Sequence, residues 1–341
     1  MNHLKKLTEI SGILLNEEEN FGTLFTASKN LKELLLSVSE LPIINTGEDE
    51  NLYTDSGKAV GVKWASLCVN DFIRTKRFCT GLFKAVKKKV SEKKEPVHIV
   101  YAGTGPFATL ILPLLTQFSS KEITVTLLEL NEISFENLKK VLTHFDAWDY
   151  VKDIELCDAT SYKIKNPNSV DIIVSETMMH GLKKEPQVAI SYSLMLQVPE
   201  SVILIPEEIQ LRLLLINHDK RQAYKLSLNG SQNYSKTIGV LFTLNKSEIK
   251  THRNTFLKTF PNTEFPKISL SIPDNANRNF NELAIETYIK VFEDQEINID
   301  ESGLSILLKV IDLNPMIQTV STITSKYLCG KTPGLQLKLG Q

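Results

Sequence analysis

Two glutamates hold the most specific chemistry in this chain. Glu176 and Glu185 stand nine residues apart in SETMMHGLKKE (175–185), directly after the apolar run VDIIV. Carboxylates at the mouth of a sheet either face water as part of a solvated loop or hold a cation. Two that lie close repel each other, so at least one pKa rises unless positive charge sits between them. A guanidinium relieves that strain. The pair would orient one of its nitrogens for reaction and draw positive charge onto the others. His180, inside the loop, is a candidate base, though a surface histidine is the simpler reading. Met178 and Met179 read as core packing.

A second constellation lies upstream. VYAGTGPFATL puts Gly103 and Gly105 where a strand is expected to turn into a helix. Glycine there lets the backbone approach a ligand and adopt dihedrals closed to other residues. The helix that follows would present free N–H groups. The next strand, LLEL, ends on Glu129, which could accept both hydroxyls of a ribose. CDATSY ends the third strand with Asp158, Ala159 and Thr160, placed to meet an adenine edge. Each acid also has a plain structural reading, Glu129 as a solvated strand end and Asp158 as a helix N-cap. Three polar strand ends in succession favour a nucleoside site at the C-terminal edge of a sheet. The third glycine of a dinucleotide fingerprint is Ala108 here, a change that motif tolerates, so the turn alone does not choose the nucleoside.

Periodicity supplies the elements that must position these groups. LKKLTEISGILL and NLKELLLSVSEL make residues 1–50 read as helix until TGEDEN breaks the pattern, and one further helix is expected from about 63 to 90. From 97 onward VHIVYA, ITVTLLEL, DIELCDA, VDIIVSE and SVILIPE read as short strands, separated by helical stretches such as SFENLKKVLTHF. That alternation predicts an α/β class: a doubly wound, mostly parallel, Rossmann-like sheet. After about 207 the helices nearly stop. IQLRLLLI, IGVLFTL, KISLSI, ETYIKVF, SILLKVI and QTVSTITSKYL predict an antiparallel, β-barrel-like domain. The expected division is a helical segment over 1–62, a Rossmann-like domain over 63–206 and a barrel-like substrate domain over 207–341.

Composition excludes several classes. The 341 residues are 42% hydrophobic and 23% charged, with a net charge of −1. No basic excess points to nucleic acid, and no polybasic run points to anionic lipid. Apolar runs such as LILPLL are too short to span a bilayer. The N-terminus meets acidic residues before any adequate apolar run, so no signal peptide is expected. Cys68, Cys79, Cys157 and Cys329 form no C-x-x-C pair and read as reduced thiols in a cytoplasmic protein. His144, His218 and His252 are too scattered for a metal site, and no metal is expected.

CVNDFIRTKRFCTGLFKAV (68–86) resembles the helix that protein arginine methyltransferases carry ahead of their cofactor strand. Asp71, Arg74 and Thr75 match that pattern, while Cys68 and Phe78 replace its Met and Tyr. Ser175, Glu176 and Glu185 match the family's double-glutamate loop in spacing, with Met178 the one further match. The resemblance spans about residues 64–210. It implies a class I methyltransferase with S-adenosyl-L-methionine as cofactor. Arg74 would bind the cofactor carboxylate, for which a planar guanidinium is suited. Gly103, Gly105, Glu129, Asp158, Ala159 and Thr160 would surround the rest of the cofactor, and Glu176 and Glu185 would be the catalytic pair. The chain also departs from the family: Tyr101 replaces an acid, Phe107 replaces a glycine, and no Thr-His-Trp occurs, since neither Trp64 nor Trp148 follows a histidine.

The function implied is N-methylation of an arginine guanidino group. Free arginine or a small guanidine is favoured over protein arginine, as in bacterial relatives of this family. One alternative is a small-molecule or peptide O- or N-methyltransferase with a non-guanidine acceptor. Another is an inactive scaffold of the same fold, which Tyr101 and Phe107 keep open. The family dimerises through an arm, and the corresponding stretch here, 217–237, is short and polar. The expected partners are the guanidine substrate and a second copy of the chain, with no nucleic acid and no membrane.

Overall fold

Two helices open the chain. Helix α1 (His3–Leu14) buries Leu7, Ile10 and Leu14, and α2 (Phe21–Val38) buries Leu24, Ala27, Leu31, Leu34 and Leu35. Spacings of three and four put each set on one stripe. The Asn20 side chain caps α2 by accepting from the Thr23 N–H at 3.0 Å. The two stripes close over Val69, Phe107, Leu112, Val141 and Phe145 to form a second core. The N-terminal helices therefore cover the outside of the segment that follows the glycine turn. The computed structural model describes residues 3–17, 20–39, 41, 51–226, 233–313, 316 and 320–340. Residues 46–50 of the TGEDEN break lie outside them.

The helical segment expected over 1–62 holds, beyond the TGEDEN break, a hairpin of β1 (Leu52–Thr54) paired antiparallel with β2 (Gly57–Ala59). The single helix expected from 63 to 90 is two, α3 (Val62–Leu67) and α4 (Phe72–Glu92), joined by a 3₁₀ turn at Cys68–Asn70. Asp71 makes the break. Its carboxylate caps α4 by accepting from the Arg74 N–H at 3.1 Å, a bond open to Asp at a helix start and not within one.

Five parallel strands form the central sheet: β3 (Val97–Ala102), β4 (Ile123–Glu129), β5 (Val151–Leu156), β6 (Ile172–Ser175) and β7 (Ile203–Ile205), in the order β5-β4-β3-β6-β7. Helices α5 (Glu132–His144) and α6 (Gln187–Met195) serve as two of the connections. Every residue of β3 is buried, as a central strand requires. The chain runs outward from β3 through β4 to β5, then crosses back to β6. The switch point thus lies between β3 and β6, where such sheets place ligands. Register levels the strand ends there, with Ala102 beside both Leu128 and Ser175.

The helix expected after the glycine turn does not form. Residues 105–113 run as successive turns into a 3₁₀ turn at Leu114–Thr116. Pro106 has no N–H to give, Ala108 is left-handed at φ +47°, and Pro113 disfavours the α conformation at Leu112. No helix N-terminus faces the switch point from this side.

Among the described residues the rest of the chain is antiparallel sheet with three short helices that the sequence pattern did not reveal. In order these elements are β8 (Glu208–Ile216), α7 (His218–Leu226), β9 (Ser235–Asn245), α8 (Lys246–Thr251), α9 (Arg253–Thr259), β10 (Ile268–Ser271), β11 (Glu282–Phe292), β12 (Gln295–Ile297), β13 (Leu308–Asp312), β14 (Thr322–Leu328) and β15 (Gly334–Gly340). One sheet runs β12-β11-β8-β9, with β13 also on β11, and the other runs β10-β14-β15. Aromatic rings join the two, with Phe242 of β9 stacked on Tyr327 of β14 at 4.3 Å between centroids. Of the polar stretch 217–237, the first part is α7, and residues 227–232 lie outside the described residues. Among the described residues no helix is long and apolar enough to cross a membrane.

Candidate functional site

A cavity of about 510 Å³ opens at the switch point. Gly103 and Gly105 from the end of β3, Glu129 from β4, Asp158 and Ala159 from beyond β5, and Glu176 and Glu185 from beyond β6 all line it, and Arg74 reaches in from α4. The structure thus brings the nucleoside constellation and the glutamate pair to one cavity. Thr160 is the exception, because it stands behind the wall. Its N–H and hydroxyl donate to Asp158 Oδ1 at 2.8 and 2.7 Å, a turn that short acidic side chains make readily. Thr160 therefore orients Asp158 rather than meeting a ligand.

The glutamate loop is fixed by residues that sequence reasoning missed. Fully buried Gln187 accepts from the Thr177 N–H and hydroxyl at 2.9 and 3.0 Å and donates to the Ser175 carbonyl at 3.1 Å. This bracket sets the path of the chain as it leaves β6, and so the direction of Glu176. Further on, the Gly181 N–H donates to Thr287 Oγ1 of β11 at 2.6 Å, and the Tyr327 hydroxyl of β14 donates to the Leu182 carbonyl at 2.7 Å. The antiparallel sheets thus hold the loop against the parallel one. Asp71 ties the two halves as well, since its second oxygen accepts from the Ser302 hydroxyl and the Gly303 N–H at 2.6 and 2.7 Å.

Glycine is required at two close approaches. A Cβ on Gly103 would lie 2.2 Å from the Thr177 methyl, at φ +74°, where the chains of β3 and β6 part. A Cβ on Gly57 would lie 2.7 Å from the Lys184 carbonyl, at φ +139°. That carbonyl accepts from the Lys58 N–H at 2.7 Å, so the β1–β2 hairpin lies directly on the glutamate loop. The one sequence signal for this hairpin was the turn cluster Thr54-Asp55-Ser56-Gly57. Gln187, Thr287 and Tyr327 gave none.

Charge in the cavity is tightly arranged. Arg74 and Glu176 form an ion pair and are only 15% and 10% exposed. The other Glu176 oxygen, Oε1, is buried without a partner. Burial raises the Glu185 carboxyl to about 7, against the opposing pull of Arg74 and Lys58. Glu129 is buried and hydrogen-bonded through both oxygens. One oxygen accepts from the Gly105 N–H and the Thr104 hydroxyl at 2.7 and 3.3 Å, and the other from the Leu130 and Asn131 N–H groups at 2.9 Å each. Glu129 therefore clamps the glycine turn to β4 while it lines the cavity.

The other side chains singled out in the sequence fall as follows. His180 is half-buried on the cavity wall rather than on the surface, and burial together with Lys183 lowers its pKa, so it is neutral at pH 7. Met178 is buried, and both methionines border the cavity. Tyr101 lines the cavity and is itself buried, which raises its pKa and keeps the phenol neutral. Phe107 turns away from the cavity into the core under α1 and α2. The loss of a glycine there removes nothing from the site. All four cysteines are free.

Residues 71–180 match the family model of the PRMT5 arginine-N-methyltransferase. The match begins at Asp71, takes in Arg74 and Glu176, and bears out the family read from those residues. Among curated protein sequences none matches the chain. Solved structures similar to it include the Trypanosoma brucei PRMT1 enzyme–prozyme heterotetrameric complex with AdoHcy. That chain is 12% identical, with 80% of this chain and 91% of that one covered at a TM-score of 0.47. Arabidopsis thaliana protein arginine methyltransferase 10 is also 12% identical, with coverages of 76% and 86% and a TM-score of 0.49.

Proposed function

We propose that this chain, which over residues 71–180 belongs with the arginine-N-methyltransferases, methylates a guanidino nitrogen of free arginine or a small guanidine, with S-adenosyl-L-methionine as cofactor. The observation that carries this reading is the pair of buried carboxylates in one cavity: Glu176 with an unpartnered oxygen, and Glu185 with its pKa raised by burial. A guanidinium offers five N–H donors and a positive charge, which answers both needs.

The cavity fits the cofactor. Its volume is within the range of small-molecule sites, about 300–1,000 Å³. Gly103 and Gly105 leave backbone bare on its wall, and Asp158 borders it at the end of the neighbouring strand connection. Gly103, Gly105, Asp158 and Ala159 would hold the nucleoside end, and Arg74 would hold the carboxylate. The five donors of Arg74 are enough to serve that group and Glu176 together. When bound, the cofactor supplies a methyl group activated by attachment to a sulfonium.

The chain's own residues align and neutralise. Glu176 and Glu185 hold the acceptor so that one nitrogen faces the methyl group, and Gln187 and Thr287 keep the loop from yielding. A guanidinium that gains a methyl and remains a monocation must release one proton. The Glu185 carboxylate, with a pKa of about 7, can take it up.

Calorimetry tests the cofactor half of this reading. S-adenosylhomocysteine is expected to bind at micromolar affinity and NAD not at all. Binding of NAD without S-adenosylhomocysteine would overturn it.

A further inference from the structure

Outside the cavity a groove runs between the hairpin and the chain that follows β14. Lys58, Lys184 and Lys331 edge it, with Asp55 the one acid on its walls among the described residues. The groove and the cavity share Thr54, Lys58 and Trp64, so the two are continuous. The site is therefore polarised along its length, with two buried carboxylates inside and three lysines at the mouth.

We propose that this groove holds a carboxylate on the acceptor while Glu176 and Glu185 hold its guanidinium, so that the acceptor is a guanidine with an acid group at the far end of a short chain. The inference rests on the guanidine reading above and narrows it.

Three observations carry it. Lys184 is an exposed lysine held at φ +68°, a conformation in which any side chain with a Cβ is strained and glycine is not. It immediately precedes Glu185, so one short turn sends a carboxylate inward and an ammonium to the rim. Second, the Lys58 N–H is bonded to the Lys184 carbonyl, which fixes these two rim residues to one another. Third, Lys331 is paired at 3.4 Å with Asp55, while neither Lys58 nor Lys184 has an ion pair among the described residues. An arginine-rich peptide would carry its charge past three lysines and be repelled. An acceptor with a terminal carboxylate meets opposite charge at both ends.

The carboxylate can come from free arginine or from a peptide ending in arginine, and the test separates them. The enzyme with labelled S-adenosyl-L-methionine is assayed on arginine, agmatine, argininamide, a peptide with C-terminal arginine and the same peptide with its terminus amidated. Arginine is expected to exceed agmatine and argininamide in kcat/KM by about tenfold, the sum of two or three exposed charge pairs. The effect should lie in KM rather than kcat. A peptide that matches arginine only when its terminus is free would place the carboxylate on a peptide. Inferior turnover of both peptides would place it on the free amino acid. In Lys184→Glu, and separately in Lys58→Gln, the ratio of arginine to agmatine should fall toward one. If agmatine, argininamide and arginine serve equally in the unmodified enzyme, or if the ratio survives Lys184→Glu, the groove does not read a carboxylate, although the guanidine reading stands. If no guanidine accepts a methyl group, both fall.

Discussion

Glu185→Gln is expected to abolish most turnover and, at pH 8, to make the protein more stable. The two effects have one cause. Burial lifts the Glu185 carboxyl from 4.5 to about 7. Its folded pKa then exceeds the unfolded one, so its contribution is intact below about pH 4.5 and is lost as pH rises through 7. Above pH 7 the folded state carries a buried charge at a cost on the order of 3 kcal/mol, from about 1.4 kcal/mol for every pH unit between the folded and unfolded values. Glutamine keeps the shape without that charge. Denaturant melts at pH 8 should therefore favour the variant, and melts at pH 4 should not. Turnover should fall about 10²–10³-fold, the usual loss when one preorganised charge contact is removed from a transition state. Glu176→Gln should lose turnover to the same extent. The double variant should cost little beyond the worse single, because the two act as a unit. Affinity for S-adenosylhomocysteine should barely change in either. Glu207 and Glu208 lie outside the cavity walls and serve as controls. A Glu185→Gln protein that keeps near wild-type rates on its acceptor would return the loop to a structural role.

Arg74→Ala is expected to damage both stability and cofactor binding, by separable routes. Removing the arginine leaves Glu176 charged, 10% exposed and unpaired. Breaking a buried pair from one side costs about 3–5 kcal/mol. Losing a buried charged contact to the cofactor carboxylate costs about 2–5 kcal/mol in binding. Adding Glu176→Gln to Arg74→Ala should restore much of the stability and none of the affinity. Lys88→Ala, a half-exposed change on the same helix, should shift stability by no more than about 0.5 kcal/mol. If the double variant regains cofactor affinity as well, Arg74 is a structural partner of Glu176 and does not touch the cofactor.

Strand ends were the legible part of this site. The β-branched runs fix where strands stop, and a parallel sheet levels those stops, so Gly103, Glu129, Asp158 and Glu176 had to come together. Arg74 and Glu176 were legible through a resemblance that the family match over 71–180 bears out, and Glu185 through the same resemblance beyond the end of that match. What stayed hidden was long-range. Nothing near Gln187 or Tyr327 says that they brace the 175–185 loop, because their partners come from 10 and 145 residues away. The acid at 129 was read as a ribose acceptor, and its bonds to the Gly105, Leu130 and Asn131 N–H groups, which tie the glycine turn to β4, left no mark in the sequence. The helix expected after Gly105 failed because Pro106, Ala108 and Pro113 together outweigh a pattern of apolar residues. In the second half, α7, α8 and α9 are too short to leave a periodic signal, and β12 too short to rise above its turn.

The position of the transferred methyl group tests the central claim most directly. The protein is incubated with methyl-labelled S-adenosyl-L-methionine and arginine, and the product is fragmented in a mass spectrometer. The account predicts label on a guanidino nitrogen, and its disappearance in Glu185→Gln. Label on a carboxylate oxygen or an α-amino nitrogen, or undiminished guanidino labelling in Glu185→Gln, would contradict it.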